Sequence, residues 1–406
     1  MRIAHFSDLH YAPETLAEVD RCFGAAIEAA IEAGAEAAVI SGDATDHRLD
    51  LHSPAAVRLA RRLQRLADHC PVLMLQGTFS HEPPGTLEMM RLIDARHEIV
   101  VAGRIAQIAL VGDRWVESEG WRFPSPPAGA RLLVSAVPTV NKAEVAAVRG
   151  AEGAARAAGE AIAEVLRGFA EANEAAREAG IPTVGVGHGT VSGAVTEHGV
   201  PMAGLDHEFT EGALFSAGCS AFLLGHIHKH QVWEREGRLA AYAGSIGRLH
   251  YGEEGPKGFL LWDVEALGAR FSFVETPARR MVCLDFQGPP DMEAIRSAAA
   301  EARGAFVRVR WQVDEEHRDA VDRKAIEAAL EGAAEVRLEG RILPVARVRA
   351  AGIGRAPSLA AKLKRWCEAT DTPAEGLAER LERLLALEPE ALAAEAAGDG
   401  DEGAAR

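Results

Sequence analysis

Five short stretches of this chain place metal-binding side chains directly after apolar runs. Asp8-Leu9-His10 follows residues 2–7, Gly42-Asp43 follows 37–41, and Gly77-Thr78-Phe79-Ser80-His81-Glu82 follows 71–76. His188 ends the run 182–187, and Gly225-His226-Ile227-His228 ends the run 221–224. Carboxylate oxygen together with neutral imidazole nitrogen is a donor set suited to mid-row divalent cations. In extended backbone residues two apart point the same way, so His226 and His228 can face one point in space. Taken singly, each stretch has an ordinary reading: an N-capping Asp, a surface His, a hydrogen-bonded core His, or a chance pair on a solvated loop. Their joint occurrence, each at a strand end and several beside a glycine that permits a tight turn, favours one shared metal centre.

The elements that must position these groups read as strand, polar turn and helix, repeated three times. Apolar spacing predicts helices over 15–33, closed by Gly34, and over 54–69. This is the pattern of an α/β sheet whose functional residues project from strand ends. Residues 98–137 read as short strands with turns, Trp115 and Trp121 covering a sheet edge. The Ala- and Glu-rich stretch 141–180 predicts a solvated helix. A loop with Gly189, Gly193, Gly199 and Gly204 follows His188. A hairpin across 232–243, the Gly244-Ser245 turn and a strand over 258–264 complete the histidine-rich part, since fourteen of the fifteen histidines precede residue 280. Beyond it, a helix over 291–303, a strand over 305–313, a helix over 320–332 and a strand over 334–343 predict a small α+β domain. Helices starting at Ser358 and Pro373 follow, and 398–406 reads as a disordered tail.

In order and context the five stretches resemble the calcineurin-like metallophosphoesterases, whose pattern is D-x-H, G-D, G-N-H-(D/E), a lone His, and G-H-x-H. The resemblance covers residues 1–265. It implies an α+β fold, a β-sandwich flanked by helices, and two divalent metal ions. At the matching positions Asp8, His10, Asp43 and His228 would hold one ion, and Asp43, His188 and His226 the second, with Asp43 bridging. Two cations roughly 3.5–4 Å apart need a shared anionic ligand, and together they clamp a phosphate and activate water. The mixed ligation suits manganese, with iron and zinc as alternatives. The third stretch departs from the pattern: it is two residues longer and lacks the Asn. Aligned on His-Glu, Ser80 falls in the Asn position as a metal ligand, with Thr78, His81 or a water as other candidates. His81 then takes the catalytic place, protonating the leaving alkoxide or stabilising the charged phosphate. Glu82 stands either to orient His81 or on the surface.

A nearer resemblance is to the SbcD family of DNA double-strand-break repair nucleases. Ala243-Gly244-Ser245-Ile246 through Gly252-Glu253, then Lys257-Gly258-Phe259, is similar to that family's stretch after G-H-x-H. Phe306-Val307-Arg308-Val309-Arg310 and residues 318–326 resemble its capping domain. The resemblance implies a metal-dependent exo- and endonuclease on DNA, working with an SbcC-like coiled-coil ATPase. It also implies a homodimer formed through helices near 54–69 and 86–95. The expected organisation is a nuclease domain over 1–278, a capping domain over 279–352 and C-terminal helices over 353–397. A phosphodiesterase or phosphatase on a small phosphoester, or a catalytically weak scaffold, are the competing readings.

The net charge of −16 argues against coating nucleic acid by bulk electrostatics, although metal ions would add local positive charge. Against that background residues 337–365 carry eight basic residues and one acid, Glu339. Arg337, Arg341, Arg347 and Arg349 are candidate DNA-backbone contacts, or else partners of neighbouring acids. Leu377, Leu381, Leu384 and Leu385 share a helix face that either packs locally or docks a partner helix. Five scattered cysteines without C-x-x-C spacing read as reduced thiols. No signal-peptide pattern precedes the first strand, and no apolar run approaches the ~20 residues of a membrane helix. A cytoplasmic protein is therefore expected.

Overall fold

A strand that is apolar at every residue is stable only when both of its faces are covered. The strands Ala37–Ile40, Val72–Leu75, Thr183–His188 and Ala221–Gly225 are buried along their whole length. A computed structural model describes residues 1–50, 52–140, 151–196, 208–253, 255–344, 352–389 and 391. It resolves the requirement as two sheets packed face to face with helices outside, a mixed α+β architecture.

The first sheet has the order Gly268–Glu275, Gly258–Glu265, Arg2–Phe6, Ala37–Ile40, Val72–Leu75 and Ile99–Ala102. Its last four strands are parallel and the first two antiparallel. The second sheet has the order Gln231–Arg235, Arg238–Tyr242, Ala221–Gly225, Thr183–His188, Ala130–Val137, Ala106–Val111 and Arg114–Glu117. The four strands from Arg238–Tyr242 to Ala130–Val137 run parallel. Period-two alternation sorts the side chains. Ile3, Val39, Leu73 and Leu75 face Leu110, Val134, Val186 and Leu223 between the sheets. Phe6, Ile40 and Met74 turn outward under the helices Leu16–Glu32 and Pro54–Ala67. On the far side Phe222 and Leu224 pack against Ile162, Leu166 and Phe169 of the helix Ala151–Glu178.

Several expectations are corrected here. Trp115, on the edge strand Arg114–Glu117, turns its ring into the core between the sheets. Trp121 packs at a tilt on Phe169, its ring filling the space above Gly168. The third helix of the opening repeat is a 3-10 turn, Leu87–Leu92, preceded by Pro83-Pro84-Gly85. The strands Gly268–Glu275 and Met281–Gln287 were not expected. The first pairs with Gly258–Glu265 across a tight turn, Glu265 opposite Gly268.

Two compact units divide the chain: Met1–Phe286, Pro290–Trp311 and Asp322–Glu339 form one, and Gln287–Pro289, Gln312–Val321 and Gly340–Arg406 the other. The expected capping segment 279–352 is shared between them. A three-stranded sheet of Met281–Gln287, Phe306–Asp314 and Glu335–Leu343 accompanies the helices Met292–Ala302 and Arg323–Ala329. In the second unit the helices Leu359–Thr370 and Leu377–Leu385 pack together. Ser358 caps the first by accepting the Ala361 N–H. Residues 141–150 of the expected long helix, Gly199 and Gly204, and the 398–406 tail lie outside the described residues.

The sheets come into close contact where their parallel strands end. A Cβ at Gly225 would stand 2.2 Å from the Ser41 carbonyl oxygen and 2.3 Å from Ser7 Oγ, so only glycine fits between the two sheets there. Gly225→Ala is expected to lower unfolding free energy by about 1–3 kcal/mol, as overpacking does. Urea titration checks this, and an unchanged midpoint would remove the claim of close contact.

Candidate metal centre

Every metal-type side chain marked in the sequence leaves the carboxyl end of a parallel strand or the turn that follows it. The backbone there is strained. Asp8, His10, Asp43 and His226 have positive φ angles of 49°, 50°, 52° and 105°, four of the six such non-glycine residues among those described. Each departure costs on the order of 1–3 kcal/mol and persists only where surrounding structure over-determines it. Here the two turns zip together: the amides of Asp8, His10 and Tyr11 donate to the carbonyls of Gly42, Asp43 and Ala44. Glycines complete the crowding. A Cβ at Gly42 would meet His188 Nδ1 at 2.2 Å, and one at Gly77 would meet the Asp43 amide and Oδ1 at 2.3 Å.

Four groups of possible ligand atoms result among the described residues, the atoms in each lying within 4.8 Å of one another. Asp8, His10 and His228 form the first and Asp43, His188 and His226 the second, flanked by His10, Asp46 and His81 and by His228, His250 and Glu253. In the first, His10 Nε2 and His228 Nε2 are 3.1 Å apart, and Asp8 Oδ1 lies 4.0 and 3.9 Å from them. In the second, His188 Nε2 is 3.3 Å from Asp43 Oδ2. The same Asp43 oxygen stands 3.9 Å from His10 Nε2, so it faces both groups. Donors about 2.0–2.2 Å from a common cation stand about 3–4 Å from each other, so these residues fit a pair of divalent ions. His226 and His228 therefore do not face one point. The strand ends at Gly225 and the φ of 105° at His226 turns the next ring aside, sending the pair to adjacent groups.

Neighbouring polar groups fix the rings. His188 Nδ1 donates to the Ser41 carbonyl at 2.7 Å, leaving Nε2 for the cluster. His10 Nδ1 lies 3.2 Å from Asp46 Oδ1. His228 has the buried Glu253 behind it, Nδ1 to Oε1 3.8 Å, and Lys257 Nζ is 2.6 Å from the other Glu253 oxygen. Burial alone would raise the Glu253 carboxyl, but His228 and Lys257 hold it down at about 2. Tyr242 donates to the Gly189 carbonyl and accepts from the Val191 amide, bracing the loop after His188. Asp46 is not singled out in the sequence, and His250, Glu253 and Lys257 appear there only within the stretch that resembles SbcD, with no role, because only the fold brings them to the ligands.

His81 donates through Nδ1 to the Asp46 carbonyl, 2.5 Å away, and its ring meets His10 edge to face at 4.8 Å. Glu82 neither orients that ring nor lies on the surface. It is fully buried, with one oxygen 2.5 Å from the Ala44 amide and the other 2.6 Å from the Gly77 amide, clipping two loops together. Burial and the Asp43 charge push its pKa up to about 8. Ser80 is exposed at the rim of the cleft. Thr78 lies deeper, its hydroxyl 3.2 Å from both Asp43 Oδ2 and His188 Nε2. The cleft has a volume of about 360 Å³ and is lined by His10, Asp43, His81, His226, His228 and His250 among others. Arg337 is exposed and pairs with Glu339 at 2.8 Å, and Arg341 is exposed; Arg347 and Arg349 lie outside the described residues. No helix among the described residues is long and apolar enough to cross a membrane.

Burial opposes charge on His188, but the adjacent Asp43 carboxylate outweighs it and pushes the pKa from 6.5 up to about 10. The same partnership holds Asp43 far below the ordinary carboxylate range despite its burial. A base with a raised folded pKa contributes stability that is complete below 6.5 and lost as pH rises through about 10. Chelator-treated protein is therefore expected to melt at progressively lower temperature between pH 6.5 and 10, and His188→Gln to flatten that slope. A pH-independent melt in the unsubstituted protein would contradict the pairing.

No protein-family model matches the chain, and no curated protein matches it. Among solved structures it is similar to GAP50, the anchor in the inner membrane complex of Plasmodium, at 12% identity and a TM-score of 0.42, covering 68% of this chain and 84% of that one. It is also similar to a dimetal phosphatase from Danio rerio at 10% identity and a TM-score of 0.41, covering 67% of this chain and 98% of that one. Both likenesses are loose, so the site is read from its own atoms.

Proposed function

We propose that this chain is a dinuclear metal-dependent phosphoesterase, and within that class an SbcD-like DNA nuclease subunit that cleaves phosphodiester bonds. The observation that carries the first part is Asp43 Oδ2, held 3.9 Å from one imidazole group and 3.3 Å from the other. Asp8, His10, Asp43 and His228 would hold one ion, and Asp43, His188 and His226 the second. Such ions, manganese being the best match to the donors, supply Lewis acidity toward phosphoryl oxygens and an activated water. The chain's own contribution is positional. The carboxylates and imidazoles are fixed before substrate arrives, so little reorganisation is needed at the moment of reaction. His81 is anchored through Nδ1, which leaves Nε2 to hold a proton for the leaving alkoxide.

The nuclease part is supported by the sequence stretches that resemble SbcD and by the small α+β segment after residue 279. Exposed Arg337 and Arg341 would meet the DNA backbone, together with Arg347 and Arg349. Val57, Met89 and Leu92, exposed on Pro54–Ala67 and Leu87–Leu92, suit the homodimer. Trp366 and Leu385, exposed on the terminal helices, suit a coiled-coil ATPase partner. The cytoplasm is the compartment this role requires. A second reading, hydrolysis of a small phosphoester, is favoured by one feature: no Lys or Arg is among the described residues lining the cleft.

Manganese-dependent hydrolysis of linear duplex and single-stranded DNA, set beside bis-para-nitrophenyl phosphate, separates the two. Cleavage of DNA is expected, and activity confined to the small ester would leave only the phosphoesterase. His81→Ala is expected to reduce turnover by about 10²–10⁴ while metal content stays constant. Unaltered turnover would remove His81 from the chemistry.

A further inference from the structure

Building on the dinuclear reading, we propose that the Thr78 hydroxyl, and not Ser80, is the neutral oxygen ligand of the second ion. Its Oγ1 sits 3.2 Å from Asp43 Oδ2 and 3.2 Å from His188 Nε2, closer to each than those two are to one another. The hydroxyl thus occupies the same face of the cluster as the ligand atoms and has their mutual spacing. Its backbone holds it there. The Thr78 amide donates to Asp43 Oδ1 at 2.7 Å, which reserves Oδ2 for the shared position between the two groups. Gly77 has no room for a Cβ against Asp43, so the loop is pressed onto the carboxylate. Glu82 then ties the Gly77 amide to the Ala44 amide on the neighbouring loop.

The two additional residues of this turn are accommodated away from the cluster. Ser80 is exposed, and the chain returns to the cleft at His81, whose carbonyl accepts from the Thr45 hydroxyl at 2.9 Å. Thr78 is thus the turn residue whose side chain meets both Asp43 and His188, and His81 keeps its own place. A hydroxyl is a weaker neutral donor than an amide oxygen, so the second ion binds less tightly than the first and loads after it.

The test is uptake of Mn2+ alone by metal-stripped full-length protein, followed by calorimetry and by the paramagnetic resonance signal of unbound Mn2+. Wild type is expected to take two ions with the second weaker. Thr78→Val, which keeps the shape and removes the hydroxyl, is expected to retain the first ion and bind the second about tenfold more weakly or worse. Thr78→Ser and Ser80→Ala are expected to titrate as wild type. Should Thr78→Val be misfolded by circular dichroism, Thr78→Ala carries the same comparison. Two-ion titration unchanged in Thr78→Val, or loss of the second ion in Ser80→Ala, overturns the assignment while leaving the dinuclear reading intact. A wild-type protein that takes up no second ion overturns both.

Discussion

The centre depends on one carboxylate. Asp43 is almost fully buried, sits in left-handed backbone, and directs a single oxygen at imidazoles from two separate groups. A buried anion of this kind is costly unless it is paired and hydrogen-bonded. The surrounding residues meet that cost in layers: His188 beside the oxygen, the Thr78 amide on its partner oxygen, and the Glu82 clip beyond. Removing water from such a group also strengthens every charge interaction it makes, which suits it to sharing between two cations.

The two-sheet architecture follows from the same need. Parallel strands release their turns at one end, so strands in both sheets deliver polar residues to one edge of the sandwich. The first sheet brings Asp8, His10, Asp43, Thr78 and His81, and the second brings His188, His226 and His228. Neither sheet alone carries a full set for either group. The Gly225 contact with Ser41 and Ser7 keeps the two edges close enough for side chains to meet. The apolar layer behind, with Val39, Leu73, Val186 and Leu223, makes that spacing rigid.

Strain is concentrated where chemistry is proposed. Asp8, His10, Asp43 and His226 all hold positive φ, and each is tied by backbone hydrogen bonds or by a neighbouring carboxylate. The His226 amide, for example, donates to both Asp8 oxygens, linking the two groups through the main chain. The stored conformational energy is offset by packing elsewhere in the fold, the usual bargain at a preorganised site.

The sequence by itself determined the apolar strands, the order of the polar turns and which Asp and His residues end them. These follow from local pattern: runs buried on both faces, and glycines beside chemically capable side chains. The small α+β segment and the Ser358 cap of the first terminal helix were legible too, whereas the second terminal helix begins at Leu377 and not at Pro373. Only the tertiary structure decided the partners of those residues. Asp46, Glu253 and Lys257 lie near the ligands in space but carry no spacing rule that would reveal them. The split of His226 from His228, the burial of Glu82 and the inward turn of Thr78 past Ser80 likewise depend on loops pressed together from distant parts of the chain. Local spacing fixes which way a side chain leaves a regular strand, but past the strand end its direction is set by what the opposing sheet brings against it.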